Sequence, residues 1–255
     1  MEQAAEGLSS RLKAVRRTFV SGIDLDGSDT SFAIIRPHAS NWSRVLLQDD
    51  ESLVGEARQF DLVTSVLSLH AVNDLPGVLV QIARALKPDG LFVAALFGGE
   101  TLFELRESLA AAEIETLGGI SPRVAPFADV PDLGGLLQRA GFALPVADVE
   151  RTVVRYRDLW TLFADLRAMG ETNVLVERDR KPLLRQTLAA ALAHYASKHA
   201  DPDGRLRATF DVAYLTGWSP HESQPKALKP GSAVARLADV LHTTEQSAGE
   251  KVPKR

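Results

Sequence analysis

The residues of this chain that bring chemistry stand in three places. His70 closes the apolar run from Phe60 to Leu69. An imidazole that titrates near neutrality serves there as a general base or as an orienting group; the competing reading is a strand-end histidine bonded to backbone. Asp24, Asp26 and Asp29 alternate along a turn that follows Phe19-Val20-Ser21-Gly22-Ile23. Alternating carboxylates can ligate a hard cation, but the turn lacks the distal Glu of the calcium-loop pattern, and a solvated acidic turn is the simpler reading. Trp218 and His221 follow the last apolar run. They shape a substrate pocket, or they are a fold-locking aromatic and a capping group. Asn73 reads as a helix cap or a substrate ligand, and Glu100 as an acid placed favourably before a helix. His38, His194, His199 and His242 share no ligand spacing; His194 and His199 are five apart, off the i, i+4 spacing of a zinc pair. No metal site is expected.

These residues need elements to position them. Phe60–His70 and Leu91–Gly98 are nearly unbroken apolar runs, the pattern of strands buried on both faces of a parallel sheet. Between them Leu75, Leu79, Ile82 and Leu86 recur at helical spacing, with Asn73 or Asp74 as cap, Pro76 in the first turn and Pro88 as stop. The result is a strand–helix–strand unit, and ligands in such sheets bind beyond the carboxyl ends of the strands. A helix over about 2–17 precedes it. Thr18–Leu25 reads as a first strand, Pro37–Asn41 as a loop and Val45–Leu47 as a brief strand. Downstream, Thr101 caps a helix through about Ile114, Asp129 caps one ending at Gly141, and a strand runs to Tyr156. Arg151, Arg155 and Arg157 share one face of that strand, covering an edge or holding an acidic partner. Two helices over about 158–200 interrupt the sheet before a last, alternating strand from Leu206 to Thr216.

Composition narrows the function classes. A chain of 255 residues with net charge -4 gives no electrostatic case for nucleic acid. It has no cysteine, which excludes disulfides, thiolate metal sites and a cysteine nucleophile, and fits a reducing compartment. No apolar run reaches the roughly 20 residues that cross a bilayer. The acidic start Met1-Glu2-Gln3 does not resemble a signal peptide. The expectation is one cytoplasmic domain over 1–241 with a disordered tail, 242–255.

Three stretches carry a resemblance. Ser65-Val66-Leu67-Ser68-Leu69-His70 through Gly77 resembles the fourth-strand motif of class I AdoMet-dependent methyltransferases, and Ala85-Leu86-Lys87-Pro88-Asp89-Gly90 their common turn. Tyr214-Leu215-Thr216-Gly217-Trp218-Ser219-Pro220-His221-Glu222-Ser223-Gln224-Pro225-Lys226 is similar to the end of a subgroup near the biotin-pathway malonyl carrier-protein methyltransferases, which includes the methyltransferase-like assembly factor of respiratory complex I. The resemblance implies an α/β fold with a Rossmann-like, mostly parallel sheet short of one strand, and a helical insertion before the last strand. It implies S-adenosylmethionine held by Asp24, Gly27, Asp49, Ser68 and Leu69, His70 in catalysis, and Asn73, Trp218 and His221 toward the substrate, a small molecule or a protein. The family's first strand ends in Asp-hydrophobic-Gly-x-Gly-x-Gly, whereas this chain reads Asp24-Leu25-Asp26-Gly27-Ser28-Asp29-Thr30. Its second strand and ribose-binding acid have no counterpart, and Asp49 aligns with the adenine-side acidic loop. Two readings stay open: methyl transfer to an O or N nucleophile, and a non-catalytic assembly or binding protein with a degenerate cofactor loop.

Overall fold

The structure, a computed structural model, describes residues 1–48, 50–53, 57–179, 181–225 and 237–244. Residues 1–221 form one compact unit and residues 222–255 another, whose described residues include the short helix Leu237–Val240. Asp49, the stretch 226–236 and the tail 245–255 lie outside the described residues.

The larger unit is built on six strands: β1 Phe19–Leu25, β2 Ala39–Val45, β3 Phe60–Val66, β4 Leu86–Gly98, β5 Ala143–Tyr156 and β6 Leu206–Trp218. Their order is β2-β1-β3-β4-β6-β5. The first four pair in parallel, and β6 runs antiparallel to both β4 and β5. One strand therefore lies outboard of β1, and the long β5 forms the opposite edge.

The unbroken apolar run of β4 has the expected cause. Phe92, Ala94 and Leu96 pack into a core shared with helices α3 (Leu75–Ala85) and α5 (Val130–Arg139). Leu91, Val93 and Ala95 pack into another, shared with helix α1 (Glu2–Ala14). Successive side chains point to opposite faces, and both faces are covered. A third core lies past the end of β4, where Phe97 meets α4 (Phe103–Leu117), α6 (Leu159–Ala168) and α7 (Arg185–His199). The insertion α6–α7 precedes β6, as the sequence leads one to expect.

Several local expectations are corrected. The stretch from Asp29 to Val45 is not a loop and brief strand: Asp29–Ile35 is helix α2, Arg36–His38 a 3-10 turn, and Ala39–Val45 a full strand. Ser28 caps α2 by accepting the Ser31 amide at 3.1 Å. Asp74, not Asn73, caps α3 through the Gly77 amide. Helix α3 ends at Ala85, and Leu86 already belongs to β4. Thr101 does not cap α4; its hydroxyl donates to the Gly98 carbonyl and accepts the Asp211 amide, while Leu102 takes the cap position in the left-handed region. The arginines at this edge meet acids of their own chain: in β5, Arg151 forks onto Asp211 and Arg155 bridges Asp201 and Asp203, and Arg157, just past the strand, meets Asp158.

Candidate functional site

The carboxyl ends of β1, β3 and β4 lie side by side, and six of the expected site residues are there. Asp24 is fully buried at the end of β1. Its Oδ1 accepts the Thr64 hydroxyl from the neighbouring β3 at 2.9 Å, and its Oδ2 is buried without a partner. Burial pushes the Asp24 carboxyl up to about 6, against smaller opposing effects of the Thr64 hydroxyl and the Arg44 cation. Gly27 closes over it: a Cβ there would fall 1.9 Å from Asp24 Oδ2, so a side chain at this position would displace the Asp24 carboxylate.

Between them stands Asp26, at φ +51°. That left-handed conformation costs a side-chain-bearing residue about 1–2 kcal/mol. Asp26 is held there by two bonds to the end of β2 and the segment after it: its amide donates to the Val45 carbonyl at 2.9 Å, and its Oδ1 accepts the Leu47 amide at 2.8 Å. Arg44 of β2 closes the turn from outside, donating to the Gly27 carbonyl at 2.6 Å and pairing with Asp29 at 2.7 Å. Asp24, Asp26 and Asp29 thus point to three different partners. Among the described residues no group of three or more His, Asp or Glu side chains is arranged to hold a metal ion.

At the end of β3, Leu67 also adopts positive φ, +54°, and its amide donates to the Ala95 carbonyl. Strain at a bulky residue is a mark of a functional position. The Ser65 and Ser68 hydroxyls share a 2.6 Å bond, Ser68 reaches the Leu25 carbonyl at 3.5 Å, and Leu69 is fully buried. Next to Leu67 and Phe97 lies an apolar cavity of about 130 Å³ that reaches Tyr156, Met169, Val212 and Tyr214.

The His70 side chain is nearly buried against the rings of Phe97 and Phe127. The Phe97 amide donates to Nδ1 over 3.5 Å, so the ring proton sits on Nε2, which donates to the Glu171 carboxylate at 3.0 Å. Both nitrogens are engaged. Glu171 follows α6, so this pair ties the insertion to the end of β3. The sequence carries no sign of it: Glu171 lies in an aperiodic stretch, and its partner is 101 positions away.

Asn73 is near the same end, but it is turned to Glu51, which accepts the Asn73 side-chain amide at 2.8 Å and the Asp74 backbone amide at 2.8 Å. Trp218 is elsewhere. It pairs with Leu91 in the first half of β4, and Ser219 bonds to Asp89 and Gly90. Seven strand steps, roughly 23 Å at about 3.3 Å each, separate Leu91 from the Gly98 end. His221, three residues on, is exposed. The structure therefore does not bring Trp218 and His70 together.

Known proteins share both the sequence and the sheet. A family model described as a methyltransferase domain matches residues 4–94. The arginine-hydroxylase NDUFAF5, mitochondrial, of Danio rerio is 44% identical over 198 residues, covering 78% of this chain and 61% of that protein. The Homo sapiens protein of the same name is 46% identical over 196 residues, covering 76% and 56%. A malonyl-(acyl-carrier protein) O-methyltransferase of Gallionella capsiferriformans is 32% identical over 190 residues, covering 74% and 62%. The YcgJ protein of Bacillus subtilis superposes with a TM-score of 0.57 at 11% identity, covering 85% of this chain and 99% of that one. The chain belongs to the class I methyltransferase superfamily. It spans about three fifths of the length of the curated relatives it matches.

In this superfamily S-adenosylmethionine is expected at the turn after β1. The groups present there fit it poorly. A glycine-rich turn offers bare backbone to the ligand; here the Asp26 side chain and the Arg44 guanidinium occupy the turn, and the Gly27 carbonyl is taken. The nearby acids are committed as well. Asp26 holds the Leu47 amide, Asp50 accepts the Ser52 amide, and Glu51 holds Asn73 and Asp74.

Proposed function

We propose that this chain is a binding member of the methyltransferase superfamily, which engages a ligand or protein partner without transferring a methyl group. The observation that carries this reading is the self-closed turn after β1: Asp26 and Arg44 satisfy the backbone that a cofactor would meet. The apolar cavity beside Leu67 and the insertion tied down by His70–Glu171 are the surfaces left for binding. The names of the relatives support a protein-directed role, since NDUFAF5 is called an arginine-hydroxylase and the other relative acts on an acyl-carrier protein. A single domain over 1–241, working in the cytoplasm, is part of the same proposal.

The second reading is methyl transfer from S-adenosylmethionine to an O or N nucleophile. The strained Leu67 at the lip of an apolar cavity favours it, because strain of that kind clusters at active sites. Thermal unfolding of the whole chain with and without millimolar S-adenosylmethionine separates the two. A binding protein shows no shift, while ligand at about a hundred times its Kd would add about 2.7 kcal/mol of stability.

A further inference from the structure

Arg106 on α4 is a half-buried cation that meets no acid among the described residues. Its Nη2 donates to the Thr101 carbonyl at 3.1 Å and to the Ala125 carbonyl at 3.5 Å. Its Nε is buried with no acceptor, and among the described residues it forms no ion pair. Two other arginines of this region differ: Arg123 meets Glu113, and Arg151 meets Asp211. A buried N–H left unmet is costly and calls for an explanation. Two backbone carbonyls account for a strap; they leave the Nε proton and the charge unanswered.

A cavity of about 220 Å³ lies against this guanidinium, between Gly99, Val124, Pro126 and Phe127, just past the end of β4. Val124 and Phe127 also line a neighbouring cavity of about 80 Å³, whose walls include Leu102, Leu105 and Leu166 and, on the polar side, Arg123 and Glu171. A ligand with its charged head at Arg106 would therefore have the leucines of the adjoining cavity within reach of an apolar body.

We propose that this cavity binds a monocarboxylate with an apolar body, its carboxylate forked on Arg106. The planar guanidinium matches a carboxylate through parallel N–H donors. The surroundings favour one negative charge over two. Asp211 Oδ2 and Asp129 Oδ1 lie 3.0 and 3.9 Å from where a Cβ on Gly99 would be. Arg151 neutralises Asp211, so Arg106 is the cation left for the ligand, and a phosphate dianion would face these two carboxylates. This site is separate from the turn after β1 and does not depend on whether that turn holds a cofactor.

The test is calorimetric titration of the full chain with octanoate, octanamide and inorganic phosphate. Octanoate is expected to bind one to one, and octanamide and phosphate at least about tenfold more weakly, the scale of a charge-assisted bidentate contact. Arg106→Gln is expected to lose octanoate binding by at least about tenfold at an unchanged circular dichroism spectrum, and Val124→Trp, which fills the cavity from another wall, to abolish it. Octanamide binding as well as octanoate overturns the proposal, as does a preference for phosphate, an undiminished Arg106→Gln, or no octanoate binding at millimolar concentration. If Arg106→Gln does not fold, the octanoate–octanamide comparison on the native chain and Val124→Trp decide.

Discussion

Asp26 Oδ1 accepts the backbone amide of Leu47 at 2.8 Å while Asp26 itself sits at φ +51°. A turn for which the family resemblance implies glycine is here held by a side chain. That one bond fastens the end of β1 to the segment after β2, and the account of function rests on it.

The first prediction concerns that bond. Asp26→Ala removes the acceptor and keeps a Cβ in the left-handed region, where Asp is tolerated better than Ala. It should destabilise the chain by about 1–3 kcal/mol in urea unfolding, the cost of leaving a partly buried donor unpaired. Asp26→Gly loses the same bond but relieves the backbone, so its cost should be smaller by about 1 kcal/mol. Equal losses for the two variants would mean that the conformation of Asp26 stores no strain.

The second concerns Asp24. Its folded carboxyl titrates near 6, above the unfolded value of about 3.9. The neutral form is the one the fold favours. Its contribution is complete below about pH 4 and is lost as pH rises through about 6. Asp24→Asn keeps the acceptor for Thr64 and removes the charge. It should match the native protein at pH 4 and exceed it at pH 8 by up to about 3 kcal/mol, from about 2 units at 1.36 kcal/mol each. Stability curves at the two pH values check this; a variant less stable at pH 8 contradicts it.

Some of this was legible in the sequence and some was not. The runs Phe60–Val66 and Leu91–Gly98 announced buried strands because nearly every position from Leu62 on is buried, with cores on both faces. The Asp26 substitution announced a disturbed turn, since glycine is required where backbone meets ligand. The stretch Asp29–Val45 hid its helix and strand because each has only seven residues, and β2 exposes much of its length. The placement of Trp218 depended on β6 running antiparallel, which carries Trp218 back along β4 to Leu91. Arg106 did leave a trace: it falls on the Leu102–Leu109 stripe at i+4, where an inward position is charged. His70–Glu171 and Glu51–Asn73 left none, because local pattern says nothing about pairs so far apart.

The third prediction concerns His70. Both nitrogens are engaged, so its role is to hold the insertion on the sheet. His70→Ala leaves Glu171 without its donor and a void against Phe97. It should cost about 2–4 kcal/mol and speed proteolysis in 169–184. Glu171→Gln keeps an acceptor for the Nε2 proton and should cost less than half as much. If His70→Ala leaves stability and proteolysis unchanged, the tie does not exist.

The central claim is that the turn after β1 is closed by its own side chains and does not take the superfamily's cofactor. Isothermal titration of the whole chain with S-adenosylmethionine tests it most directly. The account predicts no heat of binding at millimolar ligand; one-to-one binding in the micromolar range would contradict it.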